Sequence, residues 1–439
     1  MRHTFVAATV TLLGVTATAQ STDAVQLARA TIDRMVKGDY AAVVQTFDEK
    51  VRALLSEERL RTGWEGVQAQ AGAFQRANDP RVETKGEYRV VVFPAEFARA
   101  RVDIQVVINQ AGQISGLNMR PAAPTTPFAD ASYVERATFT ERDVTVDAGG
   151  WPLPGTLAMP TSGAPVAAVV LVHGSGPSDR DATFGPNKPF RDLALGLASR
   201  GIATLRYEKR TRQHGLKIAG STDFTVKEET VDDAVAAVRL LRTTAGVAPG
   251  RVFVIGHSLG GMLAPRIAAA AGTDVAGLII MAGAVRSLEQ SVLDQTRYLS
   301  LADGTISPDE QSQIDQLTAL VAKVATLRAT DPPVSIAGAR APASYWVDLR
   351  GYNSVAAARA LKRPMLILQG ERDYQVTTDD FAQWKAALGA RPDVVLKSYP
   401  ALNHLFIAGT GKSLPGEYLQ AGHVAADVVS DIAAWIAAR

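Results

Sequence analysis

The 439-residue chain contains no cysteine. That absence excludes disulfides, thiolate-held zinc, iron–sulfur clusters and thiol nucleophiles together. Histidine is scarce, with six residues. Neither sign of charge dominates, since 46 Lys and Arg face 44 Asp and Glu. No run of basic residues forms a stripe, so nucleic acid is not an expected partner. Glycine and proline, 36 and 22 residues, are too few for a collagenous or low-complexity chain. No apolar run is long enough for an integral membrane segment in the mature chain. There is no HExxH and no clustered His/Asp pattern, so no metal is expected; no cofactor is expected either. What remains is an ordinary globular composition, 47% hydrophobic and 21% charged, with length for two or three domains.

Residues 1–19 read as a leader. Arg2 and His3 precede an apolar stretch, Phe5 to Val15, which closes on Ala17-Thr18-Ala19. This is the small-x-small pattern of a signal-peptidase site and puts cleavage before Gln20. The expectation is a bacterial periplasmic or secreted protein. Without disulfides, its core must suffice alone.

Two folding units follow. From Asp23 to about Ala77, apolar residues such as Ala28, Ile32, Met35 and Val36 recur at helical spacing, broken at Gly38-Asp39-Tyr40. The period then changes to two. Strands are predicted at 88–93, 102–108 and 114–117, with a turn at 109–112. Residues 20–120 thus read as a small α+β domain, and the prolines at 121, 124 and 127 mark a stiff linker over 121–137. The break at 38–40 and the hairpin Asn109-Gln-Ala-Gly-Gln-Ile-Ser-Gly-Leu117 make this domain resemble the NTF2-like domain that precedes some bacterial hydrolases. It holds no pair of acids or histidines at catalytic spacing, so its expected role is a spacer or docking surface.

From 138 to 439 apolar strands alternate with helices. Val166–Val172 is almost continuously apolar, as a strand buried on both faces must be. Similar runs occur at 201–205, 252–255, 278–281, 365–368 and 394–396, with helices at 190–199, 230–241 and 259–271. The fold class expected is a doubly wound, mostly parallel α/β sheet. Between 281 and 365 only amphipathic helical pattern is found, which places a helical insertion at about 284–360.

Strand 252–255 runs into Gly256-His257-Ser258-Leu259-Gly260-Gly261 and then directly into a helix. This is a G-x-S-x-G nucleophile elbow, with Gly256 and Gly260 allowing strand and helix to approach. A tight turn that happens to hold a serine is the bland alternative, and the strand–turn–helix context speaks against it. A serine nucleophile needs a base. His257 lies inside the elbow, His173 follows strand 166–172, and His214 sits in an Arg-rich loop. His404 and His423 have the chain order that the base requires. His404, in a loop after the last strand, is preferred over His423, which opens the last helix. The orienting acid should follow strand 365–368. Asp373 is chosen there, Glu371 is its competitor, and Asp379 and Asp380 read as helix caps.

These motifs, with His173-Gly-Ser-Gly-Pro-Ser-Asp-Arg180, Gly370-Glu-Arg-Asp373 and Asn403-His404, resemble the α/β-hydrolase superfamily. The likeness is strongest to its bacterial lysophospholipase-like and serine-aminopeptidase-like branch. The resemblance implies that the backbone N–H groups of Ser175 and Leu259 form the oxyanion hole and that 284–360 is a mobile cap. One departure stands out: the chain reads Arg206-Tyr-Glu-Lys-Arg210-Thr-Arg-Gln-His214, where similar proteins often carry a glycine soon after the basic pair.

The expected function is serine-ester hydrolysis through an acyl-enzyme, with a small-molecule acyl ester as partner. A serine peptidase on the same fold and a non-catalytic binding protein are the alternatives. Gly409-Thr-Gly-Lys-Ser413 only mimics a phosphate loop, because Phe406 stands where its first glycine belongs. Arg180 beside Asp179 and Asp181 reads better as an ion cluster than as a substrate clamp.

Overall fold

The structure is a computed structural model that describes residues 14–122, 128–163, 165–218, 221–336 and 339–439. Most of the expected leader therefore lies outside the described residues. Two compact units divide the chain, Met1–Thr126 and Pro127–Arg439.

In the first unit, helices Gly14–Val36, Tyr40–Val44, Glu49–Leu54 and Glu57–Ala71 precede an antiparallel sheet. Its strands are β1 (Phe74–Ala77), β2 (Arg81–Lys85), β3 (Tyr88–Phe97), β4 (Arg101–Ile108) and β5 (Ile114–Pro121), in the order β1-β3-β4-β5, with β2 also on β3. Asp39, Asp48 and Ser56 cap the second, third and fourth helices by accepting from the N–H groups of Ala42, Val51 and Arg59. Ile32, Met35, Phe47, Trp64, Phe93 and Ile104 form its core. Two strands depart from the expected pattern. Helix Glu57–Ala71 ends at Gly72, and Phe74–Ala77 pairs with β3 instead of extending it. Strand β2 is exposed along its whole length, so no alternation of apolar residues announces it.

The joint is shorter than the prolines predict. Strand β5 runs through Pro121, and residues 128–137 already belong to the second unit. There the Tyr133 hydroxyl donates to Val424 O at 2.8 Å, and Arg136 grips Asp130.

The second unit is built on eight strands: β6 (Phe139–Asp147), β7 (Pro152–Pro160), β8 (Val166–Val172), β9 (Ala203–Tyr207), β10 (Val247–His257), β11 (Gly277–Met281), then β14 (Met365–Gly370) and β15 (Val394–Tyr399). Their order is β15-β14-β11-β10-β8-β9-β7-β6. All neighbours from β15 to β9 are parallel; β7 and β6 close the far edge as an antiparallel hairpin. That hairpin was not expected, because β6 is mostly solvated and β7 carries prolines at 152, 154 and 160. Helix Pro189–Ala198 leads from β8 to β9 on one side; the helical segment from Lys227 to Arg242 then leads to β10 on the other side of β8. Strand order thus reverses at β8, which opens a crevice at the C-terminal ends of β8 and β10.

The insertion between β11 and β14 holds helices Leu288–Ser300, Pro308–Thr326, Ala343–Arg350 and Ser354–Ala360. It also holds a two-stranded ribbon, β12 (Val334–Ile336) with β13 (Ala339–Ala341). Three residues per strand are too few to show a period, so only helices were expected here.

A fragment beginning at Pro127 should melt as one cooperative unit in circular dichroism. One beginning at Thr138 loses the Tyr133 and Asp130 contacts and should melt several degrees lower, since about 1 kcal/mol corresponds to roughly 2–4 °C at a somewhat smaller size.

Candidate active site

Strand β10 ends at His257 and helix Leu259–Ala271 begins two residues later. Ser258 between them has φ 56° and ψ −118°. A non-glycine residue in this region costs about 1–3 kcal/mol and persists only where its surroundings enforce it. Here Ser258 N–H donates to Met281 O at 3.0 Å, and its carbonyl accepts from Met262 N–H at 2.9 Å. A Cβ on Gly256 would lie 2.2 Å from Gly260 O, and one on Gly260 would lie 2.4 Å from Val172 O. Both positions must therefore be glycine for the turn to close.

Asp373 follows β14, and His404 follows β15. The His404 Nδ1 lies 2.6 Å from Asp373 Oδ2, with the carboxylate side chain wholly buried. Asp373 Oδ1 accepts from the N–H groups of Gln375 (2.8 Å) and Val376 (3.0 Å). An acceptor-only carboxylate at that distance puts the imidazole proton on Nδ1 and leaves Nε2 as the basic nitrogen. Among the described residues no hydrogen bond joins the Ser258 hydroxyl to His404. Such bonds are often long before substrate binds. The turn bearing His404 is fixed by Asn403, whose Oδ1 accepts from Leu405 and Ile407 N–H and whose amide donates to Glu417. Arg372 holds Glu417 with two 2.8 Å bonds.

The competing residues lie elsewhere. Glu371 accepts from Ser398 at the surface. Asp380 is buried against Arg286 and completes a capping box with Thr377, while Asp348 pairs with Arg266. His423 pairs with Asp192 at 3.0 Å, and burial pushes that aspartate up to about 6. Arg180 reaches Glu208, Asp143 and Thr156, an ion cluster that ties β6 and β7 to the loop after β8.

His257 is the residue that sequence reasoning passed over. Its Nε2 lies 2.8 Å from the His404 carbonyl oxygen, and the two rings are 4.6 Å apart. Burial, and then the neighbouring His404, hold His257 down to about 3. It is neutral and donates from Nε2, linking the elbow to the base's loop. His173 is likewise buried, held down to about 3 by burial and then by Lys209, with Nε2 3.0 Å from Asp179 O. Neither imidazole is a base.

The loop after β8 lies against Ser258: a Cβ built on Gly174 would be 3.1 Å from Ser258 Cβ and 3.6 Å from Oγ. Nothing among the described residues accepts from Ser175 N–H. Leu259 N–H belongs to the first turn of its helix, which has no intrahelical acceptor. Among the described residues, no group of three or more His, Asp or Glu side chains is placed to hold a metal ion.

A mostly parallel sheet with a strained serine at its switch point, and a His–Asp pair on the next loops, defines an α/β hydrolase. Residues 163–409 match the family described as serine aminopeptidase, S33, and the chain belongs to it. Residues 28–117 match a family described only as a protein of unknown function, DUF3887. The chain is 36% identical over 405 residues to esterase EstD of Thermotoga maritima, spanning 92% of this chain and 93% of that one. Among solved structures it aligns with a hyperthermophilic esterase of Pyrobaculum calidifontis (19% identity, TM-score 0.45, 68% of this chain and 83% of that one). Est1E of Butyrivibrio proteoclasticus aligns at 15% identity and TM-score 0.45, over 68% of this chain and 99% of that one.

Asp373→Asn should keep the fold and lower kcat by roughly 10⁴-fold, the scale set by this change in a known triad. Glu371→Gln should change kcat less than threefold; steady-state kinetics of the purified variants decide.

The two neutral imidazoles also predict a pH dependence of stability. His173 and His257 stay unprotonated in the fold but titrate near the ordinary 6.5 when unfolded. The unfolded state then binds more protons as pH falls below 6.5, so their contribution is full above that pH and declines toward about 3. Tm should fall between pH 6.5 and 5. His257→Gln, which keeps an N–H for the His404 carbonyl, should remove about half of this two-proton slope.

Proposed function

We propose that this protein hydrolyses carboxylic esters through an acyl-enzyme on Ser258. The observation that carries the mechanism is the 2.6 Å bond from His404 to a buried Asp373, on the loop that the elbow residue His257 holds. The relationship to EstD supports the ester as substrate. His404 Nε2 takes the Ser258 proton as Oγ attacks the acyl carbonyl. The carbonyl oxygen becomes an oxyanion between the N–H groups of Ser175 and Leu259. The intermediate collapses, the C–O bond to the alcohol breaks, and His404 returns its proton to the departing alkoxide. Water, deprotonated by His404, attacks the acyl-enzyme, and release of the carboxylic acid restores Ser258. General-base help is worth about 10²–10⁴-fold, and each oxyanion donor roughly 10²–10³-fold.

An ester needs less from leaving-group protonation than an amide. An aminopeptidase would also need acids that capture a free amine. Of the insertion's acids, Asp303, Asp309 and Asp315 lie on its solvated face, Glu310 is spent in the capping box with Ser307, Asp294 is paired with Arg286, and Glu289 is buried. Export is part of the proposal and rests on the leader pattern at 2–19; N-terminal sequencing of the processed protein should begin at Gln20.

A fluorophosphonate probe should label the protein once, at Ser258, and Ser258→Ala should abolish labelling and turnover. Labelling that survives in the variant removes Ser258 from the mechanism. Comparing kcat/KM for a nitrophenyl butyrate with that for aminoacyl anilides separates esterase from peptidase. Equal efficiencies would assign a peptidase.

A further inference from the structure

The loop after β9 carries a buried lysine. Lys209 is 2% exposed, although lysine is almost never fully buried unless paired. Its ammonium donates to Gly174 O at 2.8 Å, and its backbone N–H donates to Ser178 O at 3.1 Å. One residue thus holds the loop of the expected oxyanion donor at both ends.

The geometry of a trans peptide gives this contact its meaning. The C=O of Gly174 and the N–H of Ser175 belong to one planar unit and point in opposite directions. Fixing the carbonyl oxygen on the ammonium therefore fixes the direction of the Ser175 N–H. The hydrogen bond from the cationic ammonium to the carbonyl oxygen also polarises the same peptide, which strengthens its N–H as a donor. The Gly174 Cα side of this peptide lies against Ser258.

Lys209 is itself held. Glu229 Oε1 is 3.3 Å from the ammonium and accepts from Thr211 at 2.9 Å. Glu229 Oε2 accepts from the Tyr345 hydroxyl at 2.8 Å. Glu229 lies in a π-helical turn, Lys227–Asp232, a rare geometry that recurs at functional sites. Tyr345 lies on insertion helix Ala343–Arg350. Burial, and then Glu229, hold its hydroxyl well above the ordinary range, so it stays a donor.

We propose that Lys209 is a positioning residue for the oxyanion hole, locked in place by Glu229 and by Tyr345 of the insertion. The chain Tyr345–Glu229–Lys209–Gly174 then makes seating of the insertion a condition for a correctly aimed Ser175 N–H. This inference rests on the serine-hydrolase reading above, which Ser258→Ala tests separately. Turnover surviving in Ser258→Ala would remove that reading, whatever Lys209 does.

The experiment uses the full chain with nitrophenyl butyrate. It also uses two inhibitors of equal chain length, a trifluoromethyl ketone that forms a serine-bound oxyanion and the unreactive methyl ketone. Lys209→Met should lower kcat about 10- to 100-fold, within the range for loss of one oxyanion donor, with KM within threefold. It should weaken the trifluoromethyl ketone in parallel and leave the methyl ketone unchanged. Tyr345→Phe, which keeps the Lys209–Glu229 pair, should lower kcat about three- to tenfold in the same pattern. A folded Lys209→Met protein with kcat within twofold of the parent overturns the proposal. So does equal weakening of both ketones, which would mean general damage to the pocket. If Lys209→Met does not fold by circular dichroism, Tyr345→Phe decides, and an unchanged kcat there overturns the proposal.

Discussion

Everything at the site depends on one backbone constraint. Ser258 is held at positive φ between a buried strand and a buried helix, and the two glycines beside it leave no room for a side chain. The strain of about 1–3 kcal/mol is small against the apolar burial of β8, β10 and β11 around it. Burying one such side chain contributes about 1.5–3 kcal/mol. The sheet therefore over-determines the turn. The serine stands at the end of the strand with the first helical turn behind it, where a developing negative charge meets unpaired N–H groups.

Around that turn, buried polar groups are arranged so that each has one task. Asp373 accepts three hydrogen bonds, two from its own loop and one from His404. That is why the loop keeps its shape and why the imidazole has one tautomer. His257 and His173 are kept neutral by burial, so they act as fixed donors to backbone carbonyls. Lys209 and Glu229 add an ion pair in a dry interior, where leaving either partner alone would be costly.

How much of this was legible in the sequence follows from what each element buries. Strands buried on both faces announced themselves as apolar runs, and strand Val166–Val172 and the helix Leu259–Ala271 fall where the pattern puts them. Strands with one solvated face or prolines, β2, β6 and β7, carry no such signal and went unseen. The nucleophile was legible because its strain demands glycine at fixed offsets. Asp373 and His404 were chosen from chain order and loop position, and the fold brings these two within 2.6 Å while Glu371 accepts from Ser398 at the surface. The roles of His257 and Lys209 were not legible. Both act on carbonyl oxygens of residues distant in sequence, His404 and Gly174, and such contacts leave no spacing to read. The one hint was the basic pair Lys209-Arg210, in a stretch that departs from the pattern the family resemblance implies.

The two ends of the insertion are clamped independently of what lies between them, one to helix Thr378–Leu388 and the other to the turn before β15. At its start, Val285 N–H, Arg286 N–H and the Arg286 guanidinium all converge on buried Asp380. At its end, Arg391 binds the carbonyls of Ala358, Leu361 and Arg363. The entropy of closing a loop grows only slowly with its length, each doubling adding about 0.6 kcal/mol. With both ends pinned, a change in the length of the intervening segment costs little in closure entropy, while the face it buries, with Val324, Tyr345 and Trp346, must still be matched. The insertion can thus vary in length more freely than in the side chains it buries, among them Tyr345, whose hydroxyl donates to Glu229.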